Sequence, residues 1–354
     1  MDPRTAEHAK ILVNHSCKVK KGDYVLVLTG TEGVPLVREI AAEIGRVGGY
    51  IGVMLADASV SRAHILAAGE DILGTVPRQV SQMIESMDAL ISIISSSNTK
   101  ETVDVPVRKA MLAGKAQGSL NPIIERKRWN ITLHPTRALA QEAEMSFEAY
   151  EDFVYGAVLV DWPAMGKKME VLAERLGRAN HVRIVGEETD LSMSVGGRKP
   201  VIDYGEKNLP GGEVFTSPVE ESVNGTIYFD KPIIFQGKEV KGVKLTLADG
   251  VIVKHEAEAG GDLFDELQKT DDGARRMGEL GIGMNRGIAK FTKNTLFDEK
   301  MGDTIHMAAG MAFNEAGGKN VSALHIDMIK GMKEGGQILF DDEPIYSEGK
   351  FAWE

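Results

Sequence analysis

With 354 residues, 43% hydrophobic and 26% charged, the chain is long enough for two soluble globular domains. A net charge of −11 disfavours a nucleic-acid backbone or an anionic membrane as the main partner. Cys17 is the sole cysteine, which excludes an intrachain disulfide and a multi-cysteine zinc site.

The opening MDPRTAEHAK lacks the apolar core of a signal peptide, and no apolar run reaches about 18 residues, so the expected location is the cytoplasm. Residues 5–18 read as a helix. Residues 24–28 are a continuous apolar run of the kind found in buried parallel strands. A glycine turn, TGTEG, follows. Val34, Val37, Ile40, Ala41 and Ile44 then recur at helical spacing, and residues 50–55 form a second strand. This is a βαβ unit. Its GxxG turn is not the GxGxxG fingerprint, and plain turn chemistry explains it. Residues 89–94 give a third strand, with the polar loop Ser95-Ser-Ser-Asn98 at its carboxyl end. Residues 125–128, ERKR, read as a solvated helix face. Met165, Met169, Leu172 and Leu176 stripe a helix over 162–176 for the core or a subunit contact.

Near Asn180 the pattern changes to short runs separated by glycine or aspartate turns, with one helix over 262–269. The expected fold is α/β: an amino-terminal α/β domain with parallel strands over 1–180, then a β-rich, mostly antiparallel α+β catalytic domain over 181–354.

Three stretches of the second half share one construction. In MGELGIGMN, Leu280, Ile282 and Met284 alternate with Glu279, Gly281, Gly283 and Asn285. In TIHMAAG, Ile305 and Met307 oppose Thr304 and His306. In ALHIDM, Leu324, Ile326 and Met328 oppose His325 and Asp327. Alternation with period two gives each strand an apolar back and a front carrying a carboxylate or imidazole among small neighbours. One H-x-D pair is common by chance, and the plain reading is hydrogen-bonded core histidines and solvated acids. Three strands that agree favour metal ligands. Pro210-Gly211-Gly212 presents Glu213 at the start of a fourth extended run, a fifth ligand beside Glu279, His306, His325 and Asp327. Three carboxylates and two neutral imidazoles balance two divalent ions with a bridging hydroxide. Oxygen and nitrogen donors without sulfur suit Zn, Co, Mn, Fe or Mg.

The segments GGEVFTSPVEESVNG, GELGIGMNRGI, NTLFDEKMGDTIHMAAG and GGKNVSALHIDMI resemble, in order, the motifs of the aminopeptidase T and aminopeptidase S family. AKILVNHSCKVKKGDYVLVL resembles that family's start. The resemblance implies a cytoplasmic two-metal aminopeptidase acting on a peptide or a small amide, the same five ligands, and a homodimer enclosing the active sites. Phe313 stands where the resemblance leads one to expect a tyrosine, and the segment between His306 and His325 is shorter. The alternative is another metalloenzyme on this scaffold: a ring-cleaving dioxygenase holding one iron, or an amide hydrolase for small molecules. For the proton acceptor, Glu220 and Glu221 are candidates against a reading as loop acids. Lys319 and Asn320 are candidates to polarise a carbonyl, against a reading as a GGKN turn.

Overall fold

Parallel strands β1 (Tyr24–Thr29), β2 (Tyr50–Leu55), β3 (Ala89–Ile94) and β4 (Arg128–Leu133) form one sheet in the order β2-β1-β3-β4, extended by the short parallel strand Asn208–Leu209. The computed structural model describes residues 2–235 and 237–354, and these divide into two units. The first contains residues up to Val160 with Tyr204–Gly211; the second contains Asp161–Asp203 with Gly212–Glu354.

In the first unit β1 is central, and Val25, Leu26 and Val27 are buried. Strand β2 is as apolar but lies at the edge, so Tyr50, Ile51, Val53 and Leu55 are exposed. The Val34–Val47 helix between them starts with proline in its first turn and ends on Gly48 at φ +86, a left-handed cap that suits glycine. It buries Leu36, Val37, Ile40 and Ile44, the stripe read from spacing. The opening helix is α over Pro3–Lys10 and widens to a π-helix over Ile11–Ser16. The ERKR run is not a helix face. It leaves the short Asn121–Ile124 helix and enters β4, where Arg128 Nη1 lies 2.7 Å from Asp23 Oδ2.

The second unit holds two larger antiparallel sheets. The eight-stranded one runs Val251–Glu256, Val243–Ala248, Asn224–Phe229, Thr189–Ser194, His181–Gly186, Gln337–Phe340, Glu343–Ser347, Lys350–Phe351. The five-stranded one runs His325–Gly331, Thr304–Gly310, Met277–Gly283, Glu213–Thr216, Val201–Asp203. The Trp162–Arg178 helix packs on the last two of these strands, which places its Met169, Leu172 and Leu176 stripe in the core. No helix among the described residues is long and apolar enough to cross a membrane.

Candidate metal centre

The five-stranded sheet brings all five expected ligand residues onto one face. Its register explains how. Glu279, Ala308 and Asp327 share one rung across three strands, and Gly310 pairs with His325. His306 faces Gly281, which in turn pairs with Phe215, and Gly283 pairs with Glu213. Across the strands the cluster residues are therefore spaced by glycine or alanine: Ala308 between Glu279 and Asp327, Gly310 beside His325, Gly281 beside His306 and Gly283 beside Glu213. The small residues are needed for space. A Cβ on Gly281 would lie 2.0 Å from His306 Cε1, so the ring rests on bare backbone. Gly212, at φ +115, brings the chain against Asn285, where a Cβ would meet Asn285 Cβ at 2.5 Å.

Glu279 is the hinge of the cluster. Its Oε1 is 3.3 Å from His306 Nε2, and its Oε2 is 3.5 Å from His325 Nε2. Glu213 Oε2 approaches His306 Nε2 at 3.4 Å, and Asp327 Oδ1 approaches His325 Nε2 at 3.5 Å. Two donor triads result, Glu213–Glu279–His306 and Glu279–His325–Asp327, each with its ligand atoms within 4.8 Å of one another. Both contain Glu279, one oxygen for each.

Both histidines present the correct nitrogen. His306 Nδ1–H donates to the Glu299 carbonyl at 2.9 Å, and His325 Nδ1–H donates to the Met311 carbonyl at 2.9 Å. A carbonyl can only accept, so Nδ1 carries a hydrogen and Nε2 is the nitrogen turned to the carboxylates, protonated while it bonds them and able to give its lone pair to an ion that displaces that proton.

The electrostatics ask for cations. Burial opposes charge on His306, yet the Glu279 hydrogen bond and the Glu213, Glu279 and Asp327 charges raise it to about 10. For His325 burial is again overcome, by Asp327 and Glu279, to about 10. Burial would raise Asp327, but His325 and the neighbouring cations hold it well below the usual carboxylate range. Burial pushes Glu213 up to about 7 against the pull of Lys300 and His306. Glu213 Oε2 is buried and lacks a hydrogen-bond partner among the described residues, which a native carboxylate oxygen rarely tolerates. The donor set fits a divalent ion of the Zn, Co, Mn or Mg class: hard oxygens and imidazole nitrogens, no sulfur, and an orphaned oxygen aimed between them.

Other expected residues are employed elsewhere. Glu220 accepts the Lys319 backbone N–H at 2.7 Å and a 2.5 Å charge-assisted bond from Arg198, a guanidinium only 8% exposed. Burial would raise Glu220, but those bonds leave it below the usual carboxylate range. Glu221 and the Lys319 side chain are exposed, and neither bonds any of the five among the described residues. Asn320 donates to the Gly273 and Gly310 carbonyls. The GGKN segment is a tied turn. Phe313 lies with its ring 5.0 Å from that of His325 and 5.6 Å from that of Phe215, an apolar wall beside the second triad.

Two residues of the centre were not read from the sequence. Glu299 and Lys300 lie on the turn before the His306 strand, and their side chains pair with each other. Lys300 Nζ is also 3.2 Å from Glu213 Oε1. Only their place seven and six residues before the candidate ligand His306 could have drawn attention to them.

Against known proteins, residues 1–351 match the family described as "Thermophilic metalloprotease (M29)". Aminopeptidase 2 of Geobacillus stearothermophilus is 25% identical over 409 residues, covering 98% of this chain and 97% of that protein. Aminopeptidase T of Thermus thermophilus is 26% identical over 390 residues, covering 96% and 94%. The solved structure of wild-type AmpT from Thermus thermophilus superposes with a TM-score of 0.84 at 24% identity over 99% of both chains, a likeness of fold.

Proposed function

The chain belongs to the thermophilic metalloprotease (M29) family and is a metal-dependent aminopeptidase, and we propose that its centre holds two divalent ions bridged by Glu279. The observation that carries this reading is the division of Glu279 between two triads, Oε1 toward His306 and Oε2 toward His325. The single-iron alternative is not favoured. His306 and His325 fall in different triads, and each triad contains Glu279, a hard anionic donor.

In this reading Glu213 and His306 hold one ion and His325 and Asp327 the other. Two such ions supply Lewis acidity, lowering the pKa of coordinated water and polarising the scissile carbonyl. The protein's own contribution is orientation. The two main-chain carbonyls lock the imidazoles, the glycine and alanine positions keep the face hollow, and Phe313 with Phe215 lines one side with apolar surface. His325 and Asp327 are half-buried whereas Glu213, Glu279 and His306 are buried, so the peptide amide approaches from the His325 side. The arrangement of Glu220 does not support its use as proton acceptor, since Arg198 and the Lys319 amide engage its two oxygens. The resemblance further supports a homodimer in the cytoplasm with peptides as substrates.

The test is metal content per chain by mass spectrometry, paired with release of free amino acid from leucine amide after Zn, Co, Mn or Mg is added back. Two ions and amino-acid release are expected. One ion per active chain would overturn the bridged centre.

A further inference from the structure

Lys300 has no accessible surface, a rare situation for an ammonium. It lies between the Thr295–Asp298 helix and the His306 strand. Its Nζ pairs with Glu299 Oε1 and stands 3.2 Å from Glu213 Oε1. Asp203, opposite Glu213 in the strand register, adds a third carboxylate whose charge favours the ammonium. A buried ion is tolerated only when its partners close round it, and here they do.

The pairing has a directional effect. It occupies one oxygen of Glu213 and leaves the other, Oε2, facing His306 Nε2 at 3.4 Å. One residue earlier, the Glu299 carbonyl receives His306 Nδ1–H. Two consecutive residues thus set both Glu213 and His306. His325 and Asp327 make no hydrogen bond to this turn among the described residues: His325 is held by the Met311 carbonyl, and Lys300 reaches Asp327 through its charge alone.

We propose that Lys300 is a positioning residue for one half of the centre: it pins Glu213 as a one-oxygen ligand, and so sets the affinity of the Glu213–His306 triad far more than that of the His325–Asp327 triad. This rests on the two-ion reading above. Having no surface, Lys300 does not meet substrate. The competing effect has the opposite sign, because an ammonium this close also repels a metal ion.

The experiment is calorimetric titration of the chelator-stripped protein with Co²⁺, on wild type, Lys300→Met, Lys300→Arg and the pair Lys300→Met/Glu299→Gln. Wild type takes up two ions. Lys300→Met keeps one close to wild-type affinity and binds the other about 10–100-fold more weakly, the usual cost of losing a ligand's supporting partner. The surviving ion is the one lost in His325→Ala. Lys300→Arg, which keeps a charged donor, recovers most of the loss; a role in stability alone would not give this asymmetry or this rescue. The double variant removes one charge of each sign, and if Lys300→Met does not fold its isotherm decides the matter. Tighter binding, unchanged binding, or equal weakening of both ions in a folded variant overturns the proposal. A wild type that takes up no divalent ion overturns the two-ion reading, and this inference with it.

Discussion

Glu279 and Asp327 stand on the same rung of the five-stranded sheet with Ala308 between them. Neighbouring strands are about 4.8 Å apart, so the carboxylates start two strand spacings from each other and lean over a methyl group toward His325. The size of residue 308 therefore sets the width of the hollow.

Ala308→Val tests this directly. The side chain is fully buried, and two added methyl groups either displace the Glu279 carboxylate or push the rung apart. A loss of about 1–3 kcal/mol in stability is expected from overpacking, together with loss of metal from the His325–Asp327 triad. Thermal melting and metal content check it. Wild-type metal content in the valine variant would mean the triads do not depend on this spacing.

Glu279→Ala removes the one residue common to both triads. Metal content should drop below one ion per chain. Turnover of leucine amide should fall by more than the roughly 10–100-fold that a supporting residue costs. Circular dichroism should stay native-like. A variant with two ions and normal turnover would remove Glu279 from the centre.

Glu220→Gln separates a proton acceptor from a loop anchor. Glutamine still accepts from the Lys319 amide but leaves Arg198 without its counter-charge. Stability should fall by about 1–3 kcal/mol, in the range of a charge-assisted hydrogen bond. Turnover should keep more than a tenth of its value, whereas loss of a general base costs about 10²–10⁴-fold. A drop of that size with unchanged melting would return Glu220 to the chemistry.

Between pH 7 and 5 an acid sensitivity should arise in the first unit, above the range in which Asp327 takes up its proton. His8 is fully buried, donates from Nε2 to Thr132 Oγ1 at 2.7 Å, and its Nδ1 lacks a partner among the described residues. Burial, with a smaller contribution from His134, lowers its pKa from 6.5 to about 3. The unfolded chain then binds the proton that the folded one refuses. Stability is full above pH 6.5 and falls as pH drops from 6.5 toward 3, by about 1.4 kcal/mol per pH unit for this one group. Denaturant unfolding at pH 7, 6 and 5 should show a shallower pH slope for His8→Gln than for wild type. Equal slopes would mean that His8 titrates alike in both states.

Much of the centre was legible because strands write their faces into alternate residues. Glu279, His306, His325 and Asp327 could be placed together once each was seen among small neighbours, and Glu213 followed from the turn that presents it. What escaped notice sits on turns. NTLFDEKMGDT reads as a polar loop, and nothing local says that Glu299 and Lys300 are buried; that depends on Asp203 and Glu213, which lie far away in sequence. The same blindness made Glu220 and Lys319 look available, because Arg198, about twenty residues upstream of Glu220, is what occupies the carboxylate. In the first unit the apolar run over 50–55 could not reveal that β2 is an edge strand, since strand order is not a local property.

The two carbonyls that hold His306 and His325 are those of Glu299 and Met311. Every amino acid carries a main-chain carbonyl, so no single substitution at either position deletes the acceptor. Side chains there can drift while the imidazole tautomers stay put. The orientation most sensitive to small displacements is thus carried by the part of the polypeptide least able to mutate.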